Sequence, residues 1–150
     1  MAPSVGDPAP QFRLEGTGGR SYALGDYLGR PVVLVFYPGD GTPVCTHQLR
    51  SYSEGIESFA DLGAAVLAIS PQDVASHERF SARESLRMPL LADIDKEVGR
   101  AYGIVGPVGF YRRSVFVVDP TGAVVYAHRG ITGLTFRPTD QLVAAVRAAG

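Results

Sequence analysis

The segment Pro31 to Tyr37 constrains this chain more than any other. Its core, Val32 to Phe36, reads Val-Val-Leu-Val-Phe, apolar at every position and rich in β-branched residues. Neither face of the strand it forms can be left to water, so the strand belongs inside a sheet covered on both sides. Ala64 to Ser70 is a second run of the same kind. Between them, Leu49, Tyr52, Ile56 and Phe59 recur at helical spacing from Val44 to about Leu62, and Gly63 ends the pattern. Strand, helix and strand in that order predict an α/β domain.

The remaining segments fill out that architecture. Gln11 to Leu14 and Ser21 to Ala23 read as short strands around the Gly16-Thr17-Gly18-Gly19 turn. Asp73 to about Leu86 reads as a helix with Val74 and Phe80 facing inward, while Leu90-Leu91 is too short to assign by pattern. Asp95 to Tyr102 reads as a small helix capped by Asp95 and closed by Gly103. Ser114 to Asp119 and Ala123 to His128 flank the turn sequence Pro120-Thr121-Gly122 and predict an antiparallel hairpin. A last helix, from about Pro138 to Ala149, carries Leu142, Val143 and Val146. The expected fold is α/β: a central mixed sheet with helices on both faces and an N-terminal β-hairpin, with residues 1–150 as a single domain free of repeats and linkers.

Charge excludes some partners. The 14 basic and 15 acidic side chains nearly cancel and form no long run of either sign, so neither nucleic acid nor an anionic membrane surface is an expected partner. No basic and then apolar leader opens the sequence, and no stretch of eighteen apolar residues occurs; a cytoplasmic location is the expectation.

The chemistry centres on the one cysteine, Cys45. It follows Thr42-Pro43-Val44, where Thr favours the N-cap and Pro the first helical position, so Cys45 is expected at the third position of the helix. Unpaired N–H groups and the positive dipole end of a helix favour an anion there, and a thiol so placed acts as a thiolate nucleophile. The alternative is a small buried hydrophobe. With one cysteine an internal disulfide is impossible, leaving the thiol inert, reactive or paired with another molecule. Pro38 and Pro43 stiffen the loop and remove N–H donors around the sulfur. Thr42 can accept from the Cys45 N–H or turn its hydroxyl towards an oxygen beside the sulfur. Arg112 and Arg113 precede Ser114, and adjacent strand residues point to opposite faces, so one guanidinium can reach the same crevice.

Pro38, Thr42 and Cys45 match the Pro-x-x-x-Thr/Ser-x-x-Cys signature of the peroxiredoxins, and Arg113 before Ser-x-Phe-x-x-Asp matches their active-site arginine. The chain resembles that family from Val5-Gly6-Asp7-Pro8-Ala9-Pro10 to Leu90-Leu91-Ala92-Asp93 and Tyr102-Gly103, and is most similar to the bacterioferritin comigratory protein type through Tyr37 to Thr46. The resemblance implies a thioredoxin-like three-layer fold and reduction of hydrogen peroxide or organic hydroperoxides without metal or other cofactor. It implies Cys45 as the residue that attacks the peroxide, with Thr42, Arg113 and Pro38 completing the catalytic set. Relatives carry Glu or Gln where Gln48 stands, which makes Gln48 an expected partner of Arg113. Many members of the subgroup place a resolving cysteine five residues after the first, where this chain has Arg50. A one-cysteine cycle is implied, with an external thiol reductant: a low-molecular-weight thiol, thioredoxin or a glutaredoxin-like protein. The protein is expected to be a monomer or homodimer.

Two other functions fit a reactive thiol. A thiol-disulfide oxidoreductase would need a Cys-x-x-Cys pair, which is absent, whereas a non-enzymatic redox sensor would need only the one cysteine. His47 lies nearly opposite Cys45 on a helical wheel, and His77 and His128 have no partner at metal-ligand spacing; Asp93 and Asp95 read as turn and cap residues. The Gly103 to Gly109 loop reads as surface, as a wall of the peroxide pocket, or as a dimer contact.

Overall fold

A computed structural model of the chain describes residues 2–130 and 135–149. A seven-stranded sheet runs in the order β2-β1-β5-β4-β3-β6-β7. The hairpin β1 (Arg13–Gly16) and β2 (Arg20–Ala23) forms one end, and β6 (Ser114–Val118) with β7 (Val124–Arg129) forms the other. Between them lie β3 (Val32–Phe36), β4 (Ala65–Ser70) and β5 (Leu90–Ala92). β3 pairs in parallel with β4 and antiparallel with β6, so the sheet is mixed, as the sequence predicts.

Alternation along β3 divides the core in two. Val33, Val35 and Tyr37 face α1 (Pro43–Glu54), α2 (Ile56–Ala60), α3 (Val74–Glu84) and α5 (Thr139–Ala149), through Cys45, Leu49, Tyr52, Phe59, Phe80, Leu142 and Val146. Val32, Leu34 and Phe36 face α4 (Glu97–Ala101) and the chain around it, through Phe12, Val98, Tyr102, Ile104 and Tyr111. All of β3 is buried, which is why its sequence is apolar without interruption.

The structure corrects the sequence expectations at three places. The long helix from Val44 to Leu62 is two helices, broken at Gly55; a Cβ there would lie 2.6 Å from Thr139 Cγ2, at the start of α5. Asp95 is not the N-cap of α4: Lys96 holds that position, Asp95 Oδ1 accepts only from the Glu97 N–H, and the buried Asp93 accepts from the N–H groups of Val98 (3.1 Å) and Gly99 (2.8 Å) and from the Tyr111 hydroxyl. On α3 the inward residues are His77 and Phe80, with Val74 only half-buried. The Gly103 to Gly109 loop folds on itself: Val105 bridges to Tyr111, the Gly106 N–H donates to the Phe110 carbonyl, and Val108 and Phe110 are exposed.

Candidate active site

Cys45 sits where the sequence puts it, third in α1 after the N-cap Thr42 and the N1 proline Pro43. The loop that carries it leaves the C-terminal end of β3, the usual side for a ligand crevice in an open α/β sheet. The sulfur belongs to the apolar cluster of Val35, Tyr37, Leu49 and Val115, and the residue has no exposed surface.

Arg113 reaches it on the same face of the sheet, from the start of the neighbouring strand β6. Phe36 pairs with Ser114 in the antiparallel register, so Arg113 lies one residue beyond the end of that ladder, with the same parity as Val115 and Val117. Those valines point into the cluster that holds Cys45, and Arg113 follows them, 4% exposed. Its Nη1 donates to Cys45 Sγ at 3.3 Å and to Gln48 Oε1 at 2.5 Å. Arg112 has the opposite parity: it is exposed and donates through Nε to the Gly130 carbonyl. Gln48 is fully buried, and its Nε2 donates to the Tyr52 hydroxyl, which in turn donates to the Arg137 carbonyl.

Thr42 is the N-cap by backbone conformation, but its side chain makes no capping bond. Its Oγ1 lies 3.4 Å from the Gly39 carbonyl, so the expected bond from the Cys45 N–H is not formed, and the residue is exposed. Pro38 is half-buried in the same loop. His47 points outward and stacks edge-on against Phe136, in accord with its place on the helical wheel.

A buried polar cluster beneath the loop escapes sequence reading. Asp40 accepts from the Tyr37 hydroxyl at 2.6 Å and the Ser76 hydroxyl at 2.7 Å, and its Oδ2 lies 2.8 Å from His77 Nδ1. Its own N–H donates to Gln72 Oε1 at 2.8 Å. His77 is fully buried, with Nε2 2.9 Å from the Leu91 carbonyl. Burial, reinforced by Asp40 and by Cys45, raises the Tyr37 phenol well above its ordinary value, so it remains a donor. The partners lie 37 positions apart, and only the fold brings them together.

The AhpC/TSA family profile matches residues 5–127. The chain belongs to the AhpC/TSA family. Among curated relatives of this AhpC/TSA chain, a chloroplastic peroxiredoxin Q of rice is 37% identical over 129 residues, 83% of this chain and 58% of the relative. The chain thus spans less than two thirds of that protein. A putative peroxiredoxin of Mycobacterium tuberculosis is 37% identical over 133 residues, 84% of this chain and 85% of the relative. Among solved structures, the bacterioferritin comigratory protein of Xanthomonas campestris, described as having alkyl peroxide reduction activity, superposes with a TM-score of 0.84 at 30% identity over 91% of this chain and 90% of that one. A mutant peroxiredoxin Q of Xylella fastidiosa gives 0.90 at 26% identity over 99% and 98%.

Proposed function

We propose that this AhpC/TSA protein is a thiol-dependent peroxidase that reduces hydrogen peroxide or organic hydroperoxides at Cys45 and is recycled by an external thiol. The observation that carries the reading is the Arg113 guanidinium held 3.3 Å from the sulfur of the chain's one cysteine, inside an apolar cluster. A peroxide O–O bond is broken by in-line attack: the Cys45 thiolate gives its electron pair to one oxygen, and the pair of the O–O bond leaves with the other as hydroxide or alkoxide. Negative charge thereby moves from sulfur to the departing oxygen. Arg113 stabilises the sulfur before attack, and with the Thr42 hydroxyl it supplies donors to the oxygens as charge develops. Donors fixed in advance in a water-poor site do this with little reorganisation. Pro38 keeps the loop rigid and withholds an N–H that would compete for the same oxygens.

The sulfenic acid so formed at Cys45 has no second cysteine in the chain to condense with. A thiol attacks its sulfur and expels water to give a mixed disulfide; a second thiol then releases Cys45 and carries away the disulfide. A low-molecular-weight thiol, thioredoxin or a glutaredoxin-like protein supplies the reducing equivalents. We place the cycle in the cytoplasm, in a monomer or homodimer.

Stopped-flow mixing of the reduced protein with hydrogen peroxide, followed by a screen of thiols for turnover, tests the reading. Wild-type protein should consume peroxide and hold a trappable sulfenic acid, and Cys45→Ser should do neither while keeping its fold. Unchanged turnover in the serine variant would reject the reading. Rapid oxidation with no thiol able to recycle the protein would favour a redox sensor instead.

A further inference from the structure

Tyr52 lies one turn beyond Gln48 on the face of α1 that carries Cys45, and both are fully buried. A phenol has one proton to give, and that of Tyr52 is committed: the Arg137 carbonyl, 2.6 Å away, can only accept. The Tyr52 oxygen is left to accept, and Gln48 Nε2 is the donor in reach, at 3.4 Å. The other end of the amide faces Arg113, whose guanidinium can only donate. A donor-only group at one end and an accepting oxygen at the other thus agree on which way the Gln48 amide points. Burial pushes the Tyr52 phenol up to about 12, so its proton stays in place at neutral pH.

We propose that Tyr52 is a positioning residue for the peroxide reaction: by accepting from Gln48 Nε2 it fixes the orientation of the Gln48 amide, and the amide oxygen in turn aims Arg113 at Cys45. The inference rests on the peroxidase reading. Arg113 Nη1 carries two hydrogens, one held by Gln48 Oε1 and the other directed at Sγ. A flipped amide would set an NH2 group against the guanidinium, two donors without an acceptor between them, and Arg113 would withdraw from the sulfur. The need for such a device is specific to an amide. A carboxylate at position 48 would offer Arg113 an oxygen either way up. Because the Tyr52 proton is spent on Arg137, the chain entering α5 is also tied to the orientation of Arg113.

The test is a double-mutant cycle on the second-order rate of sulfenic acid formation with hydrogen peroxide, in wild type, Tyr52→Phe, Gln48→Glu and the double variant, with thermal melts in parallel. Tyr52→Phe should slow the wild-type reaction about tenfold. In the Gln48→Glu background the same substitution should change the rate less than about twofold, because no amide remains to orient. An equal loss in both backgrounds would mean that Tyr52 acts by packing, and no loss in either would mean that the amide needs no guide; each result overturns the proposal. A second readout is independent of turnover: hydrogen exchange of the Gln48 side-chain amide in 15N-labelled reduced protein should be slow in wild type and faster in Tyr52→Phe. Unchanged exchange overturns the proposal, even if the wild type proves inactive towards peroxide and the peroxidase reading falls.

Discussion

His77 Nδ1 lies 2.8 Å from Asp40 Oδ2, and through this pair α3 grips the loop that presents Cys45. The grip is reinforced by Ser76 and Gln72, so the loop is fixed by its backbone and by its side chain to the same neighbour.

The pair makes stability depend on acid. Burial alone would raise the Asp40 carboxyl, but hydrogen bonds from His77, Tyr37 and Ser76 outweigh it and hold the group below its ordinary value of 3.8. A carboxyl depressed on folding stabilises the fold above that ordinary value and loses its contribution as pH falls through the lower, folded value. Wild type should exceed Asp40→Asn in stability by about 1.5–3 kcal/mol near neutral pH. The gap should narrow below about pH 4 in urea melts taken across the acid range. A gap independent of pH would show that the charge on Asp40 contributes nothing.

Arg113→Ala should slow sulfenic acid formation by about two to three orders of magnitude, the usual effect of removing one preorganised donor from a reacting centre. Arg112→Ala, an exposed side chain of opposite parity just before β6, should leave the rate nearly unchanged. Comparable losses in stopped-flow traces of both variants would contradict the parity seen at β6.

Thr42→Val separates two roles. The side chain makes no capping bond, so stability should change by less than about 0.5 kcal/mol, the range of exposed substitutions, where a working cap would cost about 1. The peroxide rate should fall nevertheless. Melting curves and stopped-flow traces on one preparation decide it; a stability loss with an intact rate would make Thr42 a cap and nothing more.

Gly55→Ala tests the break between α1 and α2. Replacing glycine by alanine ordinarily favours a helix by about 1 kcal/mol. Here the added methyl would meet Thr139 Cγ2 at 2.6 Å, so the variant should be less stable than wild type. Adding Thr139→Ser removes that methyl, keeps the hydroxyl that donates to Ser51, and should restore the loss in a denaturant titration.

Much of this was open to reading because the signals were local. The apolar run of β3, the Thr-Pro start of α1 and the turn at Pro120-Thr121-Gly122 each carry their own cause within a few residues. What escaped depends on distant partners. Gly55 breaks a helix for the sake of Thr139, Asp93 caps α4 while holding Tyr111, and Asp40 finds His77 across the fold. The family resemblance puts Gln48 beside Arg113, whereas nothing near Tyr52 in the chain announces its link to the Arg137 carbonyl, 85 positions away.

Two arginines stand side by side at the entrance to β6, and a guanidinium alone therefore does not identify the one that works. The choice is made by odd and even. Sliding β6 by one residue against β3 would present Arg112 to the sulfur, yet it would also drive Val115 and Val117 out of one core and Phe116 and Val118 out of the other. The aim of a charged group on a sulfur is thus enforced by hydrocarbon several ångströms away, and an error of register would be rejected as a misfold before it could be tested as an enzyme.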